Sequence, residues 1–243
     1  MNIRSIEEAL ARTGVTDATL TQGERAALDH DGYVLLRGVL DAEVCAGLRD
    51  TFERTYLPSD RWPAPRGWGT RHAMLDNEPD VWRAALQPRL LACAFHLLRR
   101  RFFLFEVQGR DPRPGLGAQA LHRDWIEPQG PAPMVIALAY LDPFGAANGA
   151  TRVLPGSHLL AGGPDVFAHL DVHPDEVVVE GEAGDVLVCD GYLVHSATLN
   201  ASGAHRRNLQ ISFCAVGAKD SPVPPRDIAG ASPETRYLLG AEL

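Results

Sequence analysis

Between residues 102 and 216 the chain breaks into short apolar runs punctuated by Gly, Pro and Asn. They are FFLFEVQG (102–109), MVIALAYL (134–141), TRVLPG (151–156), DEVVVEG (175–181), GDVLVCDG (184–191) and NLQISFCAV (208–216). Each is strand-length and rich in β-branched or aromatic residues, and the turn signals recur at short intervals. This pattern constrains the fold more than any other feature. It argues for a mainly β sandwich or barrel with helices packed outside it.

The helices precede the strands. Thr21 and Glu24 form a capping-box pattern that opens a helix running to about His30. YVLLRGV (33–39) reads as a strand, and Asp41 caps a helix on which Val44, Leu48 and Phe52 recur at four-residue spacing. Residues 80–101 read as helix. Residues 57–75, LPSDRWPAPRGWGTRHAML, combine prolines, glycines and two tryptophans. They read as a long loop, and long loops in compact domains often carry function. The tail, 217–243, is Pro-rich and then weakly helical at PETRYLLG.

The bounds are consistent with one domain over 1–243, comprising a mostly helical part (1–101), a barrel (102–216) and a tail (217–243). No apolar run is long enough to span a membrane, and the first residues lack a secretory pattern. Cys45, Cys93, Cys189 and Cys214 are scattered without a CxxC, which fits free thiols in a reducing compartment. The expected location is the cytoplasm. Lys219 is the single lysine among 23 basic residues, a hint of a GC-rich bacterial genome. A net charge of −8 and a pI near 5.6 argue against a nucleic-acid partner. The Arg99-Arg100-Arg101 run reads as a solvated helix end.

LHRDWIEP (121–128) is where chemistry first shows. HRD resembles a kinase catalytic loop, but that loop needs Asn five residues after the Asp, and position 129 is Gln. GLGAQA (115–120) lacks the third glycine of a dinucleotide fingerprint. On a strand, His122 and Asp124 share one side and Arg123 takes the other. His195, after the Gly191 bend, can supply a third ligand. Two histidines and a carboxylate form a facial set that suits non-haem Fe(II). The competing reading is a polar turn with hydrogen-bonded structural histidines.

The last strand adds weight to the metal reading. Arg206, Asn208, Gln210 and Ser212 share one face, and Arg207, Leu209, Ile211 and Phe213 the other. If the polar face points inward, the interior is a ligand site. A buried guanidinium then needs an anion, and a carboxylate matches its fork. The alternative is an exposed edge strand with solvated charges.

These residues together resemble the phytanoyl-CoA dioxygenase (PhyH-like) family of Fe(II)/2-oxoglutarate oxygenases. The resemblance extends to DGYVLLRGVL (31–40), NGATRVLPGSH (148–158) and AGDVLVCDGYLVHSATLNASGAHRR (183–207), in the family's order and over most of the chain. It implies a double-stranded β-helix, a jelly-roll or cupin-like barrel. It implies that His122, Asp124 and His195 hold iron and that Arg206 clamps the far carboxylate of 2-oxoglutarate. Gln119 and Thr151 are the further residues it points to for that cosubstrate. Ser157 and His158 read as structural, bracing a turn. The implied reaction consumes O2 and 2-oxoglutarate, releases succinate and CO2, and hydroxylates an unactivated C–H bond. A carboxylate at Asp124 argues for oxygen transfer, because halogenating relatives keep that position small.

The substrate is not written in these motifs. Trp62, Trp68, Arg71, His72 and Trp125, with the 217–243 tail, are the candidate walls. A small secondary metabolite or amino-acid-like molecule is the expected partner. Desaturation, cyclisation or epimerisation by the same centre, or an inert binding barrel, remain the alternative functions.

Overall fold

The computed structural model describes residues 3–57, 70–127, 130–160, 172–218 and 226–241. Their order is α1 (Ile6–Arg12), α2 (Gln22–His30), β1 (Tyr33–Leu36), α3 (Ala42–Thr55), β2 (Tyr56–Leu57), β3 (Thr70–Met74), α4 (Pro79–Ala85), α5 (Pro88–Leu98) and β4 (Phe102–Pro112). There follow β5 (Met134–Tyr140), β6 (Thr151–Val153), β7 (Val177–Val179), β8 (Val186–Asp190), β9 (His195–Ala197), β10 (Asn208–Ala215) and α6 (Pro233–Leu238). A seven-stranded sheet runs β1-β8-β5-β10-β4-β3-β2, and a three-stranded sheet runs β7-β6-β9. All pairings are antiparallel. This is the expected mainly β architecture, a double-stranded β-helix with flanking helices.

Side-chain alternation explains how the layers form. Leu209, Ile211 and Phe213 of β10 join Val135, Ala137 and Ala139 of β5 in the core under the helices, with Leu48, Phe52, Leu91 and Leu98. The opposite face of the large sheet meets the small sheet. At one end that space is apolar, filled by Tyr140, Phe144, Val153, Val179 and Leu187. Tyr140 and Phe144 stack there with centroids 3.8 Å apart. A second apolar patch on this face gathers Trp125, Met134, Ile136 and Tyr192, and the rest of the space, lined largely by polar side chains, forms the site.

Several elements depart from expectation. The 80–101 helix is two helices, because Pro88 lacks the N–H needed to continue α4 and instead starts α5. Arg99 then terminates α5 in the left-handed region with φ 54°. Arg101 lies beyond the helix, its guanidinium over the Tyr237 ring at 4.3 Å. Val44 is exposed, and α3 instead buries Cys45, Leu48, Thr51 and Phe52. The ends of the 57–75 loop are strands: β3 pairs with β4 and β2 with β3. Backbone hydrogen bonds to the edge of β4 do not need an alternating pattern, so no side-chain signal marks them. Helix α1, capped by Ser5, and the three-residue strand β9 are too short to show a clear hydrophobic period in the sequence. All four cysteines are buried and free. Among the described residues no helix is long and apolar enough to cross a membrane.

Candidate functional site

His122 and His195 meet through an isolated antiparallel bridge. The HxD segment is thus a single bridge residue followed by a bend, not a full strand. The side chains still diverge as alternation requires, with His122 and Asp124 entering the cavity and Arg123 turning away. Donor atoms of His122, Asp124 and His195 all lie within 4.8 Å of one another. His195 Nε2 is 3.2 Å from Asp124 Oδ2, and His122 Nε2 is 4.0 Å from Asp124 Oδ1.

The ring orientations suit a cation. His122 Nδ1 lies 2.8 Å from the Ala120 carbonyl and His195 Nδ1 3.0 Å from that of Leu193. A carbonyl only accepts, so each Nδ1 carries a proton, and the neutral His122 ring presents its Nε2 lone pair to the cavity. Burial works against charging His195, but the charge of Asp124 and its hydrogen bond with Nε2 outweigh it and raise the His195 pKa; a metal ion would take the place of that Nε2 proton. Burial, with His195 alongside, lowers the His122 pKa and favours that neutral ring. Burial opposes ionisation of Asp124, but His195, its hydrogen bond and His122 outweigh it and hold the carboxyl well below the usual range. The three residues can therefore hold a divalent metal with two imidazole nitrogens and one carboxylate, leaving coordination positions open.

The cavity beside them measures about 490 Å³. Arg206 enters it from the start of β10, with Asn208 and Gln210 on the same inward face. Arg206 is 5% exposed, and its Nε has no hydrogen-bond partner. Its guanidinium carbon sits 5.1 Å from the Phe144 ring centroid. Burial, with Arg110 nearby, lowers its pKa to about 10, so it stays charged at neutral pH. A buried cation with an unmet donor, facing open space, is built for an anion. Gly149 makes room for it. With φ 92°, a Cβ there would stand 3.2 Å from Arg206 Nε and 2.9 Å from the Thr198 carbonyl.

Gln119 and Thr151 also line the cavity. Gln119 is held by its backbone: its N–H donates to Ala197 O at 3.0 Å, and its carbonyl accepts from Arg152 Nη2 at 3.2 Å. Arg152 is buried and also ties Ser196 Oγ at 2.6 Å and the Glu176 carboxylate at 2.9 Å. Ser157 and His158 are structural: Ser157 Oγ accepts from Val194 N at 2.8 Å, and His158 packs against Gly32. Arg207, on the outward face, forms a forked pair with Asp142 at 2.8 and 2.9 Å.

The candidate substrate walls fare differently. Trp62 and Trp68 lie outside the described residues. The backbones of Arg71 and His72 lie in β3, opposite Asp111 and Arg110 of β4. Trp125 does not line the cavity; it packs with Met134, Ile136 and Tyr192 behind it. Reasoning from sequence missed Arg110, Ile136 and Leu138, which do line it. The inward alternation of β5 marks the last two. Arg110 follows Gln108 at strand spacing, but the strand-like run FFLFEVQG ends at Gly109.

Fold and ligand set together define a class: a double-stranded β-helix carrying a two-histidine, one-carboxylate centre. A family model described as phytanoyl-CoA dioxygenase (PhyH) matches residues 28–208, and the chain belongs to that family, an oxidoreductase family. It is 27% identical over 217 residues to dioxygenase ALT11 of Alternaria alternata, covering 77% of this chain and 69% of that one. It is 34% identical over 113 residues to dioxygenase FUM3 of Gibberella moniliformis, covering 42% of this chain. That match spans only 35% of FUM3. Among solved structures, HygX from Streptomyces hygroscopicus, with nickel and 2-oxoglutarate bound, superposes with a TM-score of 0.68 at 21% identity. The overlay covers 82% of this chain and 88% of HygX and bears on the fold.

Proposed function

We propose that this chain is a single-domain Fe(II)- and 2-oxoglutarate-dependent dioxygenase that hydroxylates an unactivated C–H bond of a small molecule, releasing succinate and CO2. One observation carries the reading: a complete His122–Asp124–His195 donor set opens into the same cavity as a buried, under-satisfied guanidinium, Arg206. Family membership and the metal and 2-oxoglutarate bound by HygX support it.

In this reading His122, Asp124 and His195 hold the iron, and Arg206 anchors the distal carboxylate of 2-oxoglutarate. Gln119 and Thr151 stand on the wall where a second hydrogen bond to the cosubstrate can form. Iron and 2-oxoglutarate together supply the oxidising chemistry when bound. The chain's residues do the positioning. The Nδ1 contacts to Ala120 and Leu193 fix both rings. Arg152 immobilises Ser196, between two residues of the cavity wall. Ile136 and Leu138 give the wall an apolar stretch against which a C–H bond can be held away from water. Because Asp124 is a carboxylate, that coordination position is filled by the protein and is not left to a halide.

The test is succinate formation by the purified chain with Fe(II), 2-oxoglutarate and O2. Turnover should require all three and vanish in His195→Ala. No consumption of 2-oxoglutarate would leave an inert binding barrel. Product mass then separates the gain of one oxygen atom from the loss of two hydrogens or an unchanged mass.

A further inference from the structure

We infer that Arg152, which lies behind the cavity wall, is a positioning residue for the metal centre. Held from the far side by Glu176, its guanidinium fixes the segment carrying His122 and Asp124 against the strand carrying His195. The inference rests on the proposed reading of those three residues as metal ligands and adds to it the device that sets their spacing.

The first support is the shortness of the pairing between the ligand segments. Strand β9 has three residues, His195–Ala197, and residues 119–124 meet it in a single isolated bridge. Over this stretch three backbone hydrogen bonds join the two: the reciprocal pair between His122 and His195, and Gln119 N to Ala197 O at 3.0 Å. So short a pairing is marginal by itself.

The second support is what Arg152 reaches. On β6 it stands opposite Ser196 of β9, while its neighbour Thr151 stands opposite Ala197 and lines the cavity. Alternation therefore sends Arg152 to the back of the small sheet. There its Nε donates to Ser196 Oγ at 2.6 Å and its Nη2 to Gln119 O at 3.2 Å. Ser196 follows the ligand His195, and Gln119 precedes the ligand His122 by three positions. One planar group thus spans both segments. Its Nη1 donates to both oxygens of Glu176, at 3.2 and 2.9 Å, and Glu176 is itself fixed by the His173 N–H at 3.0 Å.

The third support is the choice of residues. Arg152 is 6% exposed, and the Glu176 side chain 17%. Burying such a pair strips both ions of water, and well-packed apolar residues often serve stability as well or better. Stability alone does not call for this pair. What it supplies is direction. A guanidinium is a rigid fork whose N–H bonds point to fixed places, and here each of its nitrogens serves a different segment. A methionine would fill the same space and fix none of these distances.

The test compares wild type with the double variant Arg152→Met/Glu176→Met, which removes both charges together and leaves the net charge beside the centre unchanged. Each full chain is freed of metal, melted by scanning fluorimetry and titrated with Co(II) by calorimetry, and the visible spectrum of the Co(II) form is recorded. The double variant should melt within about 4 °C of wild type. Its Co(II) affinity should nevertheless fall about tenfold or more, the cost typical of losing a group that orients a metal ligand, and its Co(II) bands should shift. Arg152→Lys keeps the ion pair but not the fork, so its affinity should fall in the same direction and its bands should move. It decides alone, by the same thresholds, if the double variant does not fold. A double variant with Co(II) affinity within about twofold of wild type and unchanged bands overturns the inference. So does a loss of Co(II) binding confined to a variant that melts more than about 10 °C below wild type, which would make the pair a stability element. Failure of wild type to bind Co(II) overturns the metal reading as well, and is seen before any variant is made.

Discussion

His122 and His195 hold each other in place twice over: His122 N donates to His195 O at 3.0 Å, and His195 N donates to His122 O at 2.9 Å. The backbones, not the rings, make this junction. The two ligand-bearing segments should therefore stay paired when either side chain is cut back. His122→Ala and His195→Ala are expected to melt near wild type without metal. Wild type should gain stability on adding metal, about 2.7 kcal/mol at a hundredfold excess over the dissociation constant. Both variants should gain almost none at that concentration and form no succinate. Differential scanning fluorimetry with and without Zn(II) checks this; a wild-type-sized upshift in either variant would remove that histidine from the ligand set.

Gly149 and Arg206 make a second pair. A methyl group at position 149 would meet a backbone carbonyl and the guanidinium at once, in a conformation that L side chains rarely adopt. Arg206→Ala should weaken 2-oxoglutarate binding roughly 10- to 100-fold, the worth of a charged hydrogen-bonded contact. Gly149→Ala should displace Arg206 and weaken binding in the same direction, with some loss of stability. Calorimetric titration of 2-oxoglutarate into the metal-loaded protein measures both. An unchanged affinity in Arg206→Ala would move the clamp elsewhere.

Why Arg206 was legible and Arg110 was not has a physical reason. On β10 the apolar partners Leu209, Ile211 and Phe213 expose the alternation, so the inward face can be counted off directly. On β4 the count is broken twice. A register shift opposite Ser212/Phe213 inserts an extra residue, and Gly109 looks like a terminator. Gly109 is in fact mid-strand, because a Cβ there would sit 1.9 Å from Phe52 of α3. The glycine lets a helix close onto the sheet and carries no information about a turn. Likewise Trp125, adjacent to the HxD motif, is drawn into a satellite core by Met134 and Tyr192, which sequence distance hides.

Arg123 turns away from the cavity, as the alternation requires, and is tied into the fold behind it. It is buried, and its Nε donates to Tyr192 O at 2.9 Å and its Nη2 to Ser157 O at 3.4 Å. Removing it leaves buried carbonyls short of a donor. Arg123→Ala should therefore cost about 1–3 kcal/mol of stability while the folded protein keeps its metal. Urea unfolding, with elemental analysis of the native fraction, separates the two. Loss of metal at unchanged stability would mean that Arg123 acts on the centre itself.

The Arg207–Asp142 pair gives a pH signature. Arg207 stands next to Arg206 but faces outward, forking onto Asp142 while its backbone N–H donates to the same carboxylate at 2.9 Å. Burial alone would raise the Asp142 pKa, but the hydrogen bonds and charge of Arg207 outweigh it and lower it. A carboxyl lowered on folding contributes stability above its unfolded pKa, about 3.9, and loses it as pH falls through the folded value. Arg207→Ala should therefore destabilise by about 1–2 kcal/mol at pH 7, allowing for the pair's partial exposure. The gap from wild type should hold down to about pH 4 and close below it. Because the guanidinium never enters the cavity, 2-oxoglutarate affinity should be unchanged in this variant. Denaturant melts of both proteins between pH 7 and pH 3 carry the test. A gap that persists undiminished at pH 3 would show that Arg207 stabilises by packing its stem and not through the Asp142 charge.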